Sequence, residues 1–137
     1  MIAPTPEGFV YTDPSRAEVD DSQLPPLITA FDAMPIAGGY EIWTLSSRIG
    51  GITLHHGPML VALEATALVL ATATGGGALA VEHASVRIVK AGTAGPFRTS
   101  GSIVRNGASV LVRTELVDRG NLGAVVAVAH HRLRRES

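Results

Sequence analysis

At 137 residues the chain fits one domain and can bury a real core. Its formal charge is −1, with 11 Lys and Arg against 12 Asp and Glu, which argues against a general nucleic-acid binder. The absence of cysteine excludes a disulfide framework, a thiol nucleophile and a zinc–thiolate site.

In chain order, residues 1–25 form an irregular acidic arm in which Glu7, Asp13, Glu18, Asp20 and Asp21 face only Arg16, and residues 26–137 are expected to form a single domain. The opening residues lack the basic and apolar regions of a signal peptide, so a soluble, cytoplasmic protein is expected. Pro25-Pro26 opens a short helix over Leu27–Met34 that Pro35 ends. After Gly38-Gly39, Tyr40–Ser46 reads as a strand or long loop.

A long helix follows from about Gly57 to Thr74, with Pro58 in its first turn and Gly75-Gly76-Gly77 as its stop. It is apolar on nearly every face, the mark of a buried helix, but too short for the roughly 20 residues of a membrane span. The period then changes from 3.6 to 2. Strands are expected over Leu79–Val89, Phe97–Arg105, Ser109–Val117 and Leu122–Leu133, with a hairpin at Asn106-Gly107 and a fraying basic tail after it. On the third of these, Val110, Val112, Thr114 and Leu116 share a face. A helix followed by a meander of antiparallel strands makes an α+β domain, with the sheet wrapping the helix and any uncovered helix face packing on a partner subunit.

Glu64 breaks the pattern. It is the only charged residue between Arg48 and Glu82 and sits mid-helix. Inside such a helix, a carboxylate must find partners, take up a proton or face a cavity. A functional role competes with simple pairing to Arg48, Arg87 or a histidine across an interface. His55 reads equally as a structural loop histidine and as a substrate-positioning one. Metal binding is not expected: adjacent histidines on a strand, His130 and His131, point to opposite faces. Arg87, Lys90, Arg98 and Arg105 are candidates for phosphate contacts, although scattered basic residues are usually solvated surface.

The segment Gly50-Gly51-Ile52-Thr53-Leu54-His55-His56-Gly57-Pro58, with Glu64 nine residues after His55, resembles the hotdog-fold thioesterases of the phenylacetate-pathway, PaaI-like branch. That family has His-Gly-Gly and then a helix carrying Asp or Glu nine residues after the His. The likeness covers about residues 40–134, including the glycine break and the strand order. Here His56 replaces the first Gly and Pro58 follows the second. The resemblance implies a hotdog fold, an acyl-CoA thioester substrate, no cofactor, and a dimer that often pairs into a tetramer. Ser47 is the nearest candidate for an upstream polar residue found in many members. Ala80 falls where some members carry a helper hydroxyl; Thr66 and Ser85 are the substitutes at hand.

Thioester hydrolysis needs a group to hold the carbonyl oxygen as it gains charge, and a base or nucleophile. The helix N-terminus offers the His56 and Gly57 amides and the helix dipole; Pro58 has no N–H to give. Glu64 is the general base on water or a direct nucleophile. Seven residues separate Gly57 from Glu64, about 10 Å along the axis at 1.5 Å per residue. One carbonyl does not easily reach both, so two antiparallel helices from two subunits are expected to share each site. A non-catalytic hotdog ligand-binding or interaction module is the alternative. A hotdog hydratase or dehydratase is less favoured, because no matching Asp precedes a helix.

Overall fold

The computed structural model describes residues 33–42, 53–75 and 77–136. They form strands β1 (Ala33–Ile36) and β2 (Gly39–Ile42), helix α1 (His56–Thr72), and strands β3 (Leu79–Ile88), β4 (Phe97–Asn106), β5 (Ser109–Asp118) and β6 (Ala124–Arg135). The strands make one six-stranded antiparallel sheet in the order β1-β2-β4-β5-β6-β3. The expected α+β architecture is therefore present. The meander is partial: β4, β5 and β6 follow one another, but β3 crosses over and pairs with β6 at the far edge.

β5 is the centre of the sheet and alternates along its whole length. Val110, Val112, Thr114, Leu116 and Asp118 are buried, and the residues between them are half-buried. The period-2 pattern thus gives one face to the helix and one to the outside. α1 lays Met59, Ala62, Leu63, Thr66, Ala67 and Ala71 on that inner face. Alanines at three of these positions let the helix backbone approach the sheet closely. Leu63 packs with Phe97, Leu116 and Ala127 around one end of the helix; Ala67 and Ala71 pack with Val110, Val112 and Leu133 around the other.

No other described element covers the opposite side of α1. Leu60, Glu64 and Val69 are exposed there.

Three local expectations are corrected. The helix expected over Leu27–Met34 lies largely outside the described residues, but its last two positions, Ala33 and Met34, are in strand β1. Pro35 does not end a helix; it sits in a strand that ends the sheet, where its missing N–H costs no ladder bond. The tight turn to β2 uses Gly38 at φ 74°, a conformation glycine adopts without steric cost. The basic tail does not fray: β6 runs to Arg135, whose guanidinium donates to the Gly75 carbonyl, Thr74 Oγ1 and Asn106 Oδ1. A cation at a helix C-terminus satisfies orphan carbonyls and complements the dipole.

A polar chain stitches helix to sheet. The Tyr40 N–H donates to Thr99 Oγ1 at 2.9 Å, Thr99 and Thr66 share a hydrogen bond of 2.5 Å, and Thr66 Oγ1 donates to the Ala62 carbonyl at 2.8 Å. Thr66 and Thr99 are buried. A Cβ at position 39 would meet Thr99 Oγ1 at 2.8 Å, so Gly39 permits this approach. Thr99→Val keeps the shape but leaves the Tyr40 N–H without its acceptor and takes from the buried Thr66 hydroxyl its second partner, leaving only its bond to the Ala62 carbonyl. It should cost about 1–3 kcal/mol in chemical denaturation, with an unchanged m-value.

Candidate functional site

The start of α1 is held from two sides. The Leu54 N–H donates to the Gly92 carbonyl at 2.8 Å, and Leu54 is buried. A Cβ on Gly92 would press on the Phe97 ring at 2.7 Å and on Leu54 at 3.4 Å, so that position must stay small. His55 is the N-cap, extended at φ −69° and ψ 154°, with no side-chain capping bond. The first helical bond runs from the Met59 N–H to the His55 carbonyl at 3.3 Å. Ahead of it, the His56 and Gly57 amides have no acceptor among the described residues, and Pro58 has no N–H. His55, His56 and Gly57 are all exposed. This is a helix N-terminus open to an incoming oxygen.

Glu64 lies two turns along the same helix on its uncovered side. The single chain therefore does not bury it, contrary to the reading of this helix as enclosed on nearly every face. The reason is one-sided cover: the sheet packs only on the Met59–Leu63–Thr66 side. Around Glu64 the open side is apolar. A cleft of 370 Å³ lined by Tyr40, Ala65, Leu68, Val69 and Thr72 runs beside it. Arg87, one candidate ion-pair partner, is on the sheet face turned away from the helix, opposite Val128. The other, Arg48, lies outside the described residues, as does Ser47.

His131 is the residue whose placement composition alone does not reveal. It is 2% exposed, and its Nδ1 has no hydrogen-bond partner among the described residues. The buried Thr114 hydroxyl nearby on the same face is also unpartnered there. Burial pushes the His131 imidazole below its ordinary 6.5; the charge of Glu64 opposes this and that of His130 adds to it. The alternation of β6 was the available signal, since Ala127, Ala129 and Leu133 share its buried face. His130 is exposed on the other face, as expected for adjacent histidines. No group of residues able to hold a metal occurs among the described residues.

A lowered folded-state value means that the unfolded chain takes up the proton first. Stability should fall as pH drops through about 6.5 and below. Thermal melts between pH 8 and 5 should show this loss, and His131→Gln should remove that part of it.

The structure places the remaining sequence candidates as follows. Arg98 forks onto the buried Glu41 carboxylate at 2.7 and 3.0 Å. Thr66 is committed to Thr99 and Ala62, and Ser85 lies on the sheet face turned away from the helix, opposite His130. One buried carboxylate went unnoticed. Asp118 accepts the Thr93 and Ala94 N–H groups at 3.0 Å each and the Gly95 N–H at 2.8 Å, which fixes the loop that also supplies Gly92.

No family model and no curated relative matches the sequence. Solved structures do match. The Escherichia coli PaaI protein of the phenylacetic acid degradation operon superposes with a TM-score of 0.62 at 17% identity, over 78% of this chain and 86% of that one. A Bacillus halodurans protein solved with CoA gives 0.63 at 15%, over 83% and 78%. Zebra fish thioesterase superfamily member 2 gives 0.65 at 15%, over 76% and 80%. No helix among the described residues is long and apolar enough to cross a membrane. One long helix laid on a six-stranded antiparallel sheet, in an architecture shared with these structures, makes this chain a hotdog-fold domain.

Proposed function

We propose that the protein hydrolyses acyl-CoA or related acyl thioesters. One observation carries this reading: a single carboxylate, Glu64, stands on the otherwise apolar open side of a helix whose first amides, His56 and Gly57, have no acceptor among the described residues. The Bacillus halodurans protein of the same fold was solved with CoA, which supports the substrate class.

In the proposed site a thioester carbonyl oxygen lies at the N-terminus of one copy's helix, where two N–H groups and the dipole meet the developing charge. Glu64 of a second copy takes a proton from water as it attacks the carbonyl carbon; the tetrahedral intermediate then breaks its C–S bond and expels the thiolate, which takes up that proton. Alternatively the Glu64 carboxylate attacks directly, expelling the thiolate to form an anhydride that water opens to the free acid and Glu64. The 10 Å between Gly57 and Glu64 along one helix makes the assembly a homodimer at least, with a tetramer as the natural extension, acting in the cytoplasm. His55 and Ser47 are proposed to line the substrate path. Docking two copies through the open helix side covers Leu60, Glu64 and Val69.

A second reading, a ligand-binding module without turnover, draws on Pro58, which leaves the helix start one N–H short of the usual three. A panel of acyl-CoA thioesters assayed for thiol release separates the two. Turnover that disappears in Glu64→Gln with the oligomer intact supports hydrolysis; binding without turnover in the natural chain supports the module.

A further inference from the structure

The face of the sheet turned away from α1 has a charge that the chain as a whole does not. Register places Arg98 and Arg105 of β4, Arg113 and Glu115 of β5, Arg132 and Arg134 of β6, and Arg87 of β3 on that face, with Glu41 of β2 paired to Arg98. With Glu82 set aside at the β3 bulge between Val81 and His83, six arginines against two glutamates leave a net +4 at these register positions, in a chain whose formal charge is −1. Both glutamates are engaged already, Glu41 by Arg98 at 2.7 Å and Glu115 by Arg113 at 3.3 Å. Arg87, Arg105, Arg132 and Arg134 are exposed and have no carboxylate partner among the described residues. His83 lies opposite Arg132, and His130 opposite Arg113. A cavity of 810 Å³ lined in part by Ser85, Arg87, Arg113 and His130 lies among them.

The same face contains no Phe, Tyr or Trp on β3–β6, so it lacks the stacking platform by which sheets hold single-stranded nucleic acid. Two copies would not pair through it, because arginine would meet arginine. The compensating charge is in the chain itself. Residues 1–25 carry Glu7, Asp13, Glu18, Asp20 and Asp21 against Arg16, a net −4.

Reach permits the match. Strand β1 begins at Ala33, three strands from β5 and four from β6, about 14 and 19 Å at 4.8 Å per strand. The eight residues from Pro25 to Ala33 span up to about 26–29 Å.

We propose that the acidic segment 1–25 docks on this cationic sheet face, with Arg87, Arg105, Arg132 and Arg134 as its principal contacts. It neutralises the repulsion among them and leaves the open side of α1 free for self-association.

The absence of cysteine makes the test direct. Ser15→Cys in the full chain carries a single nitroxide, and paramagnetic broadening is read on methyl groups by NMR. Broadening should be strongest at Leu111, Val117 and Val128 on the outer face, weaker at Val112, Ala129 and Leu133 on the inner face, and should fade in 0.5 M salt. The Arg132→Glu/Arg134→Glu pair, both surface positions, should abolish it without moving the melting temperature by more than a few degrees. Mixing spin-labelled unlabelled-isotope chains with isotope-labelled chains shows whether the segment comes from the same copy or a neighbour; broadening in either arrangement supports the same occupant. Absence of broadening, broadening centred on the helix side, or broadening that survives the double reversal would overturn the proposal. If an added acidic protein binds the wild-type face with no displacement of the label, the face belongs to an external partner and the proposal also fails.

Discussion

Glu64→Gln should lower thioester turnover by about 10²–10⁴-fold, the range that positioned general bases contribute. The substitution keeps the size and shape of the side chain and removes only the group that can accept the proton. Because Glu64 is exposed in the single chain and makes no hydrogen bond or ion pair among the described residues, no folded-state partner is lost. KM should change little, since the glutamine still fills the position beside the acyl group. The proposed dimer should stay assembled, and removing a charge from its proposed helix–helix interface should leave it as stable as before or more so. A fall in kcat together with dissociation would instead mean that Glu64 is a structural pairing residue. Steady-state kinetics and sedimentation on the same samples distinguish the two.

Asp118→Ala should be the most costly of the stability variants, about 3–5 kcal/mol: it removes three charge-assisted hydrogen bonds at about 1.5–3 kcal/mol each, and water at the exposed Thr93 and Ala94 recovers part of that. The carboxylate is fully buried. Burial would raise its value, but the N–H groups of Ala94, Gly95, Thr93 and Gly120 outweigh that and hold it below the ordinary 3.8. Its contribution is therefore fully present above 3.8 and is lost as pH falls through the lower, folded-state value. Denaturant midpoints at pH 7 should drop sharply in the variant, and the natural chain should lose stability steeply below pH 4. The effect should extend to the site. The Asp118 loop carries Gly92, whose carbonyl holds Leu54 one residue before the N-cap, so a loosened loop frees the His56 and Gly57 amides to wander. Activity should fall more than the loss of folded protein explains.

The strands were legible because β5 alternates without interruption and the Asn106-Gly107 turn marks its hairpin. The helix was legible from its two ends, a proline in the first turn and the glycines after it. The placement of β3 beside β6 was not, because pairing between residues as far apart as Leu79 and Arg135 depends on where the sheet has a free edge, and no local pattern records that. Strand β1 was hidden by Pro35, which reads as a helix stop unless its position at the end of the sheet is known.

At the candidate site, the motif located Glu64 and the helix N-terminus correctly on one element. Its apolar surroundings implied burial, whereas the sheet covers only half the helix circumference. Asp118 escaped because an Asp-Arg-Gly-Asn run reads as solvent-facing turn chemistry; only its β5 parity, shared with Val110 to Leu116, turns it inward. His131 escaped for the mirror-image reason, its parity being masked by an identical neighbour on the exposed face.

The most direct test of a site shared between two helices is complementation in a mixed dimer. One copy carries Glu64→Gln and keeps its helix N-terminus; the other carries Gly57→Pro, which removes one of the two free amides, and keeps Glu64. Each variant alone should be nearly inactive as a folded homodimer. The purified heterodimer contains one intact site and one doubly damaged site, so it should recover about half the thioester turnover of the natural dimer, as expected when separate copies supply the oxyanion donors and the base. A heterodimer no more active than its two parents would contradict the shared site.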